Sequence, residues 1–449
     1  MKRLTILIIF ILISTLTIKA QDTLSLSFQE AVQIGLENNI TLKQQKNILE
    51  VNFAERNQRR ALYFPSVGAS TDFSRQDGRN FDERTGQLYT ESIDGGSLGI
   101  GANYVIFDGL YRLNMNKSAK YSLLAQDNMV KRTQQEIIWT VADQYLQSLL
   151  DKELFRIAEK NLELQQTTLE QIRGFVEAGT RPLSHQLDQE AQVRQLETQV
   201  IRAENQLRLD KAILMQTLML DPNLVLEPID PNWGIEEIVM HNPELDDLYE
   251  TALENRPDLK QQVATQIAAK ADVKVAGSYY YPKLEAFANY GSGYSSQALD
   301  AQGEKIPINE QITDWNRGSQ IGLRMNIPIY DQNRIRYNKV RAKMTNENAK
   351  LTLQDLELQI FRDVQISYLN FVAAKNEYSA AQSQFEAGQA AYNIQKERYD
   401  VGVGNLVELA LSTNTLVKAA ADRAQAEYSL LFQKVILDYY TGTLSASNL

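Results

Sequence analysis

The chain is written twice. Leu36-Glu37-Asn38 and Leu42-Lys43-Gln44-Gln45 return as Leu253-Glu254-Asn255 and Leu259-Lys260-Gln261-Gln262, an offset of 217 residues. The same offset carries Tyr63-Phe64-Pro65 onto Tyr280-Tyr281-Pro282. Farther along the offset is 223, placing Ile106-Phe107-Asp108 on Ile329-Tyr330-Asp331, Tyr145-Leu146 on Tyr368-Leu369, and Gly179 on Gly402. The change of six falls between Pro65 and Gly99, where a loop absorbs it. Matches of common residue types in shared order and near-constant spacing are the mark of a duplicated unit, which bounds the fold before any residue-level reading. We assign residues 21–220 to the first repeat, 246–442 to the second and 443–449 to a tail. A linker over 221–245 lies between the repeats, broken by Pro222, Pro228, Pro231 and Pro243.

Each copy reads as a helix, two strands and two long helices. Residues 27–62 and 244–279 have helical periodicity, and each segment runs into an aromatic residue followed by proline. Strands are expected near 65–75 and 95–107 in the first copy and near 282–292 and 318–330 in the second. Leu98, Ile100, Ala102, Tyr104 and Ile106 alternate with Ser97, Gly99, Gly101 and Asn103. Ile321, Leu323, Met325, Ile327 and Ile329 alternate with Gln320, Gly322, Arg324 and Asn326. Val67, Ala69, Thr71 and Phe73, and Leu284, Ala286, Ala288 and Tyr290, repeat the pattern more weakly. The polar segments 75–95 and 291–318 are expected to separate the strands of each pair. Period-2 strands of about ten residues suit the wall of a transmembrane barrel, although a half-buried soluble sheet alternates identically. Four strands cannot close a barrel alone, so membrane insertion would require several chains to share the wall.

The helices are longer than a compact core accommodates. No proline occurs from Gly109 to Glu177 or from Asn333 to Val401. At 1.5 Å per residue such a helix is roughly 100 Å long. Val364, Phe371, Tyr378, Phe385, Tyr392 and Tyr399 stand seven residues apart, matched in the first copy by Val141, Ser148, Phe155, Leu162, Leu169 and Val176. A sustained seven-residue period keeps one seam against a partner helix and imposes a left-handed supercoil. The hairpins, expected over 109–219 and 332–440, turn at Gly179-Thr180-Arg181-Pro182 and Gly402-Val403-Gly404-Asn405. Glycine ends a helix and proline opens one. The two tips are expected together, at the end opposite the strands, where they could form a docking surface.

Composition removes whole classes of function. The 449 residues include no cysteine and only two histidines, His185 and His241, which excludes disulfides, thiol catalysis and Cys-ligated metal. The net charge of −10 does not suit a nucleic-acid partner. No nucleophile elbow, zincin, P-loop or dinucleotide motif is present, so no enzyme activity, catalytic residue, metal or cofactor is expected. Residues 1–20 read as a cleaved export signal: Lys2 and Arg3, an apolar run from Leu4 to Leu16, then small residues before Gln21.

In this order, the repeat, the Phe64-Pro65 and Tyr281-Pro282 strand starts, the Phe107-Asp108-Gly109 and Tyr330-Asp331 strand ends and the Val401-Gly402-Val403-Gly404 tip resemble the TolC-like outer-membrane efflux proteins over essentially the whole mature chain. The resemblance implies a mainly α fold with a β-barrel part. Long antiparallel coiled-coil hairpins and four transmembrane strands per chain would close as a homotrimer with a 12-stranded barrel and an α-helical periplasmic tunnel. It implies a passive exit duct in the cell outer membrane, embedded in outer-membrane lipid. A periplasmic adaptor and an inner-membrane transporter of a tripartite efflux or type I secretion system would be its partners. It also implies an aperture at the periplasmic end. Glu408 corresponds to the first acidic position of that constriction and Leu411 to the second; Tyr399 matches a tip tyrosine. Gly404 stands where the family has a basic residue, and His185 where it has an aspartate. The closing contacts are therefore expected to be rewired, with Arg181 as our candidate. In the trimer that the resemblance implies, three Glu408 carboxylates in a narrow opening would concentrate cations, whereas an isolated Glu408 would be an ordinary exposed glutamate. The alternative for the whole chain is a structural coiled-coil envelope protein without a lumen.

Overall fold

The computed structural model describes residues 23–82, 86–230 and 234–445. The expected export signal and residues 446–449 of the tail lie outside the described residues. In chain order the elements are β1 (Thr23–Leu26), α1 (Phe28–Asn38), α2 (Ile40–Ala61), β2 (Ser66–Asp82), β3 (Gln87–Phe107), α3 (Tyr111–Glu177), α4 (Leu183–Leu218) and β4 (Val225–Pro228). They continue with α5 (Ile235–Met240), α6 (Leu245–Asn255), α7 (Pro257–Ser278), β5 (Lys283–Ser295), β6 (Gly318–Asn326), α8 (Arg334–Asp400) and α9 (Leu406–Thr441). Both long helices have 67 residues and both returning helices 36, at the offset of 223 found in the sequence.

Two compact units divide the chain. One comprises residues 48–127 and 261–354 and holds an antiparallel sheet in the order β2-β3-β5-β6. Register places Val67 opposite Ala102, Ala102 opposite Ala288, and Ala288 opposite Ile321. Directly paired residues point to the same side, so within the strands the four alternating sets share one face, up to a bulge between Val105 and Phe107 that sets Phe107 rather than Ile106 opposite Leu284. Among the described residues nothing covers that face: Ile321 is 84 % exposed and Leu323 67 %. The other face carries Ser, Gly, Asn, Asp and Gln, with Phe287 among them.

Both strand-to-helix junctions of this unit are built alike. Gly109 and Leu110 in one copy, and Gln332 and Asn333 in the other, are consecutive residues in the left-handed region. The preceding aspartate then accepts the helix's early N–H: Asp108 Oδ2 from Arg112 N at 3.3 Å, and Asp331 Oδ2 from Ile335 N at 2.7 Å. This is N-terminal capping by a short acidic side chain. In the first copy Arg112 also donates to Asp108 at 2.8 Å and to the carbonyls of Ile106 and Leu62, and lies over the rings of Tyr63 and Tyr104.

The other unit comprises residues up to 47, 128–260 and 355 onward. Here β1 pairs in parallel with β4. Ser27 and Glu30 close a capping box at the start of α1, with Ser27 N donating to Glu30 Oε2 at 2.9 Å. Tyr145 of α3 is fully buried against Phe28, ring centroids 5.4 Å apart, and its Oη lies 2.9 Å from Leu26 O and 2.5 Å from Ile229 O. One side chain thus ties the long helix to the residues flanking the small sheet.

The structure corrects several expected boundaries. Segment 75–95 is largely strand, because its polar side chains pair across the hairpin, Arg75 with Asp94 at 2.6 Å and Asp77 with Ser92, as Asp72 and Ser97 do just outside it. Such cross-strand pairs stabilise a sheet without apolar burial. Within 291–318, β5 extends to Ser295, and a π-helical turn spans Gln311–Trp315. β6 stops at Asn326, short of Ile327 and Ile329, as Pro328 has no N–H for a ladder. The helix expected over 27–62 breaks at Asn39, whose Oδ1 accepts from Leu42 N at 3.0 Å. Its counterpart breaks at Arg256, ahead of Pro257. The linker holds β4 and the short α5 rather than irregular chain alone.

Candidate functional site

The two hairpin tips share one backbone design. In the first, Gly179 takes φ 75°, Gly179 N donates to Val176 O and Thr180 N to Phe175 O. In the second, Gly402 takes φ 81°, Gly402 N donates to Tyr399 O and Val403 N to Arg398 O. This left-handed glycine with paired back-bonds satisfies the last helix carbonyls. The tips then diverge. Pro182 precedes α4 with no side-chain cap, whereas Asn405 caps α9, its Oδ1 accepting from Val407 N at 3.0 Å.

Gly404 adds a bond that the first tip lacks, its N–H donating to Arg398 O at 2.8 Å. A Cβ at this position would lie 2.7 Å from Tyr399 N and 2.9 Å from Arg398 C. The substitution noted in the sequence is therefore more than a lost charge: the tip backbone passes where a basic side chain would begin.

Glu408 sits in the first turn of α9, half-exposed, with Oε2 3.5 Å from Arg398 Nη1. Tyr399 is 8 % exposed, and its Oη is buried with no hydrogen-bond partner among the described residues. His185 is half-buried, its Nδ1 likewise unpaired, and Arg181 is half-buried at the turn before α4. Among the described residues no hydrogen bond or ion pair within this chain joins Arg181 or His185 to Glu408 or Tyr399. Sequence reasoning missed Arg398 as the partner of Glu408. It also missed the exposed apolar set around the tips: Val401, Val407 and Leu411 beside Val403 in one, and Phe175, Leu183 and Leu187 in the other. The signal was present as apolar residues crowded against turn glycines, where solvated turns are usually polar. Leu411, 68 % exposed, stands at the second acidic position implied by the resemblance.

Among the described residues no cluster of three or more metal-ligating side chains occurs, and no helix is long and apolar enough to cross a membrane.

Known proteins give this architecture a context. The chain shares the fold of the CmeC outer membrane channel of Campylobacter jejuni, with a TM-score of 0.75 at 17% identity over 94% of this chain and 87% of that one. The MtrE outer membrane channel of Neisseria gonorrhoeae gives 0.74 at 16% identity over 93% and 91%. By sequence it is 26% identical over 335 residues to the pyoverdine export outer membrane protein OpmQ of Pseudomonas aeruginosa, covering 74% of this chain and 67% of that protein. It is 21% identical over 440 residues to the outer membrane efflux protein BepC of Brucella suis, covering 98% and 90%. A family model matches both repeats, residues 31–218 and 248–443, and the chain belongs to the outer membrane efflux protein family.

Proposed function

We propose that the protein is the passive exit duct of a tripartite efflux or type I secretion system. Three copies share a 12-stranded barrel in the outer membrane, and their helical hairpins line a periplasmic tunnel. The observation that carries this reading is the sheet: one uncovered apolar face across all four strands, one polar face, and outer strands β2 and β6 available for pairing. An apolar face of this extent calls for a partner or lipid. Open strand edges are not tolerated in lipid, so further copies must complete the ring. Residues 1–20 act as the cleaved export signal.

The hairpin tips, Gly179-Thr180-Arg181-Pro182 and Gly402-Val403-Gly404-Asn405, meet the periplasmic adaptor, which links the duct to an inner-membrane transporter. Exposed Val401, Val403 and Val407 give that contact an apolar component. Glu408, with Tyr399, His185 and Arg181 nearby in the assembly, forms the aperture. Arg398 moderates the charge of each Glu408, so the constriction is weakly cation-attracting rather than a dense acidic ring.

Planar-bilayer recording of the purified protein tests the duct. Stepwise conductance, with cation preference reduced in Glu408→Gln, is the expected result; purified protein that inserts no conductance would overturn the reading.

A further inference from the structure

The two hairpins differ in part of what fills their seams. In the second, Phe371 and Ala374 pack with Leu430 and Leu437 in a closed apolar cluster. At the matching positions of the first, 223 residues earlier, Leu207 and Leu214 keep two of the four apolar, Ser148 and Asp151 replace Phe371 and Ala374, and Asp210 stands where the second hairpin has the polar Gln433. Asp151 is 5 % exposed and Asp210 9 %. Asp210, on α4, faces Asp151, on α3, within side-chain hydrogen-bonding reach.

Each carboxyl is held by a glutamine one turn earlier on its own helix. Gln147 Nε2 donates to Asp151 Oδ1 at 3.3 Å, and Gln206 Nε2 to Asp210 Oδ2 at 2.9 Å. Among the described residues, Asp151 Oδ2 is buried without a hydrogen-bond partner, and so is Ser148 Oγ one turn before it. Ionised carboxylates only accept hydrogen bonds, and two buried like charges in contact cannot both persist. The pair requires a compensating positive charge or a proton.

The surrounding charges are committed elsewhere. Lys152 and Lys211, the next residues along each helix, both pair with Glu227 of β4, at 2.7 and 2.6 Å. Glu153 pairs with Arg156, and Arg208 with Glu204. On α1, which packs against α4, Glu30 is bound to Ser27 and Glu37 accepts from Gln33. On the side of α3 that meets α9 lie Asp143, Tyr428 and Glu427, the last 3.7 Å from Arg423, with Asp230 near Glu427. None of these cations reaches the pair.

We propose that Asp151 and Asp210 form a proton-held latch, in which one shared proton keeps α3 against α4 and its loss parts the first hairpin while the apolar second hairpin stays closed. Burial, and then the Asp210 carboxyl, push the Asp151 carboxyl up to about 7. A carboxyl ionises at about 4 in water, so the closed hairpin carries one proton more than the open one between those values. Each pH unit of rise through that window lowers the closed-to-open ratio by about tenfold, and the dependence flattens above the upper value. Only the consequence for flux rests on the exit-duct reading: the tunnel loosens on one hairpin of each copy as its surroundings become neutral.

The absence of cysteine makes the test direct. Spin labels on Glu159→Cys and Arg202→Cys of the full chain in detergent report the α3–α4 distance from about pH 5 to about pH 9. The expected result is a distribution that lengthens with rising pH, and pH-independence in Asp151→Asn and Asp210→Asn. An unchanged parent distribution, or the same shift in both variants, overturns the latch. Infrared spectra of the parent protein require no variant to fold: a protonated-carboxyl band lost as pH rises supports the latch, and its absence at acidic pH sinks it. Bilayer conductance of the same preparation separates the two claims. A conducting protein with a pH-blind hairpin keeps the duct and loses the latch; a shifting hairpin without conductance does the reverse.

Discussion

Arg398 and Glu408 face each other across the second hairpin tip, Nη1 to Oε2 at 3.5 Å, ten residues apart on antiparallel helices. Both side chains are about half exposed, and exposed pairs contribute about 0–1 kcal/mol. The pair's importance is therefore electrostatic rather than structural. Arg398→Ala leaves the melting temperature nearly unchanged and raises cation selectivity in bilayer recordings by unmasking Glu408. Glu408→Gln lowers it. Equal selectivity in both variants would remove Glu408 from the conduction path.

Gly402 and Gly404 are glycines for different reasons, and substitution separates them. Gly402→Ala imposes a left-handed conformation that costs about 1 kcal/mol but meets open space. Gly404→Arg places a Cβ against the Tyr399 and Arg398 backbone, so the tip must refold. Limited proteolysis over residues 398–406 is expected to rise strongly in Gly404→Arg and slightly in Gly402→Ala, with global melting little altered in either. Equal protection of the two variants would contradict the close approach.

The break between α6 and α7 is locked by charge. Arg256, 2 % exposed, holds Asp258 at 2.6 Å, with Asp363 at 3.9 Å and the Tyr440 carbonyl at 3.4 Å. Arg132 lies 3.9 Å from Asp258 and 3.9 Å from the Tyr439 ring centroid. Burial raises the Asp258 carboxyl, but the Arg256 hydrogen bond and the Arg132 charge outweigh it and leave it below its usual value. Its stabilisation is complete above the ordinary carboxylate range and fades as pH falls through the depressed value. Removing one partner of a buried pair costs about 3–5 kcal/mol. Thermal unfolding of Arg256→Ala at neutral pH should show that loss, and a drop within the range of a surface substitution would refute the lock.

Tyr145→Phe keeps the ring against Phe28 and removes the hydroxyl shared by the Leu26 and Ile229 carbonyls. Leu26 O still accepts from Ile229 N at 3.0 Å, so the loss is that of an ordinary hydrogen bond, about 0.5–1.5 kcal/mol. Amide exchange should accelerate in β1 and β4 first, and unchanged exchange there would contradict the role given to this hydroxyl.

What the sequence made legible follows from range. The junction at Ile106-Phe107-Asp108 and Ile329-Tyr330-Asp331 was visible because an aspartate caps its own helix four residues on, and the duplication wrote that local device twice. Strand faces were visible because alternation is a local property, and pairing register then aligned all four. Features built across a turn or a seam were not. Arg398 with Glu408 depends on how tightly the tip closes, and the steric role of Gly404 is set by backbone approach rather than residue type. Asp151 and Asp210 lie 59 residues apart and meet only through hairpin register; Ser148, a break in an otherwise apolar heptad series, was the one trace of that polar seam. The strand character of 75–82 was hidden because its stabilising pairs are polar and would suit a loop equally well.

The central claim is that several copies of this chain complete one membrane channel. Electron microscopy of the mature protein extracted in mild detergent tests it most directly. The account predicts a threefold particle with a twelve-stranded ring inside the detergent belt and a continuous lumen through the helices. A particle of one chain, dispersed without detergent and enclosing no lumen, would contradict it.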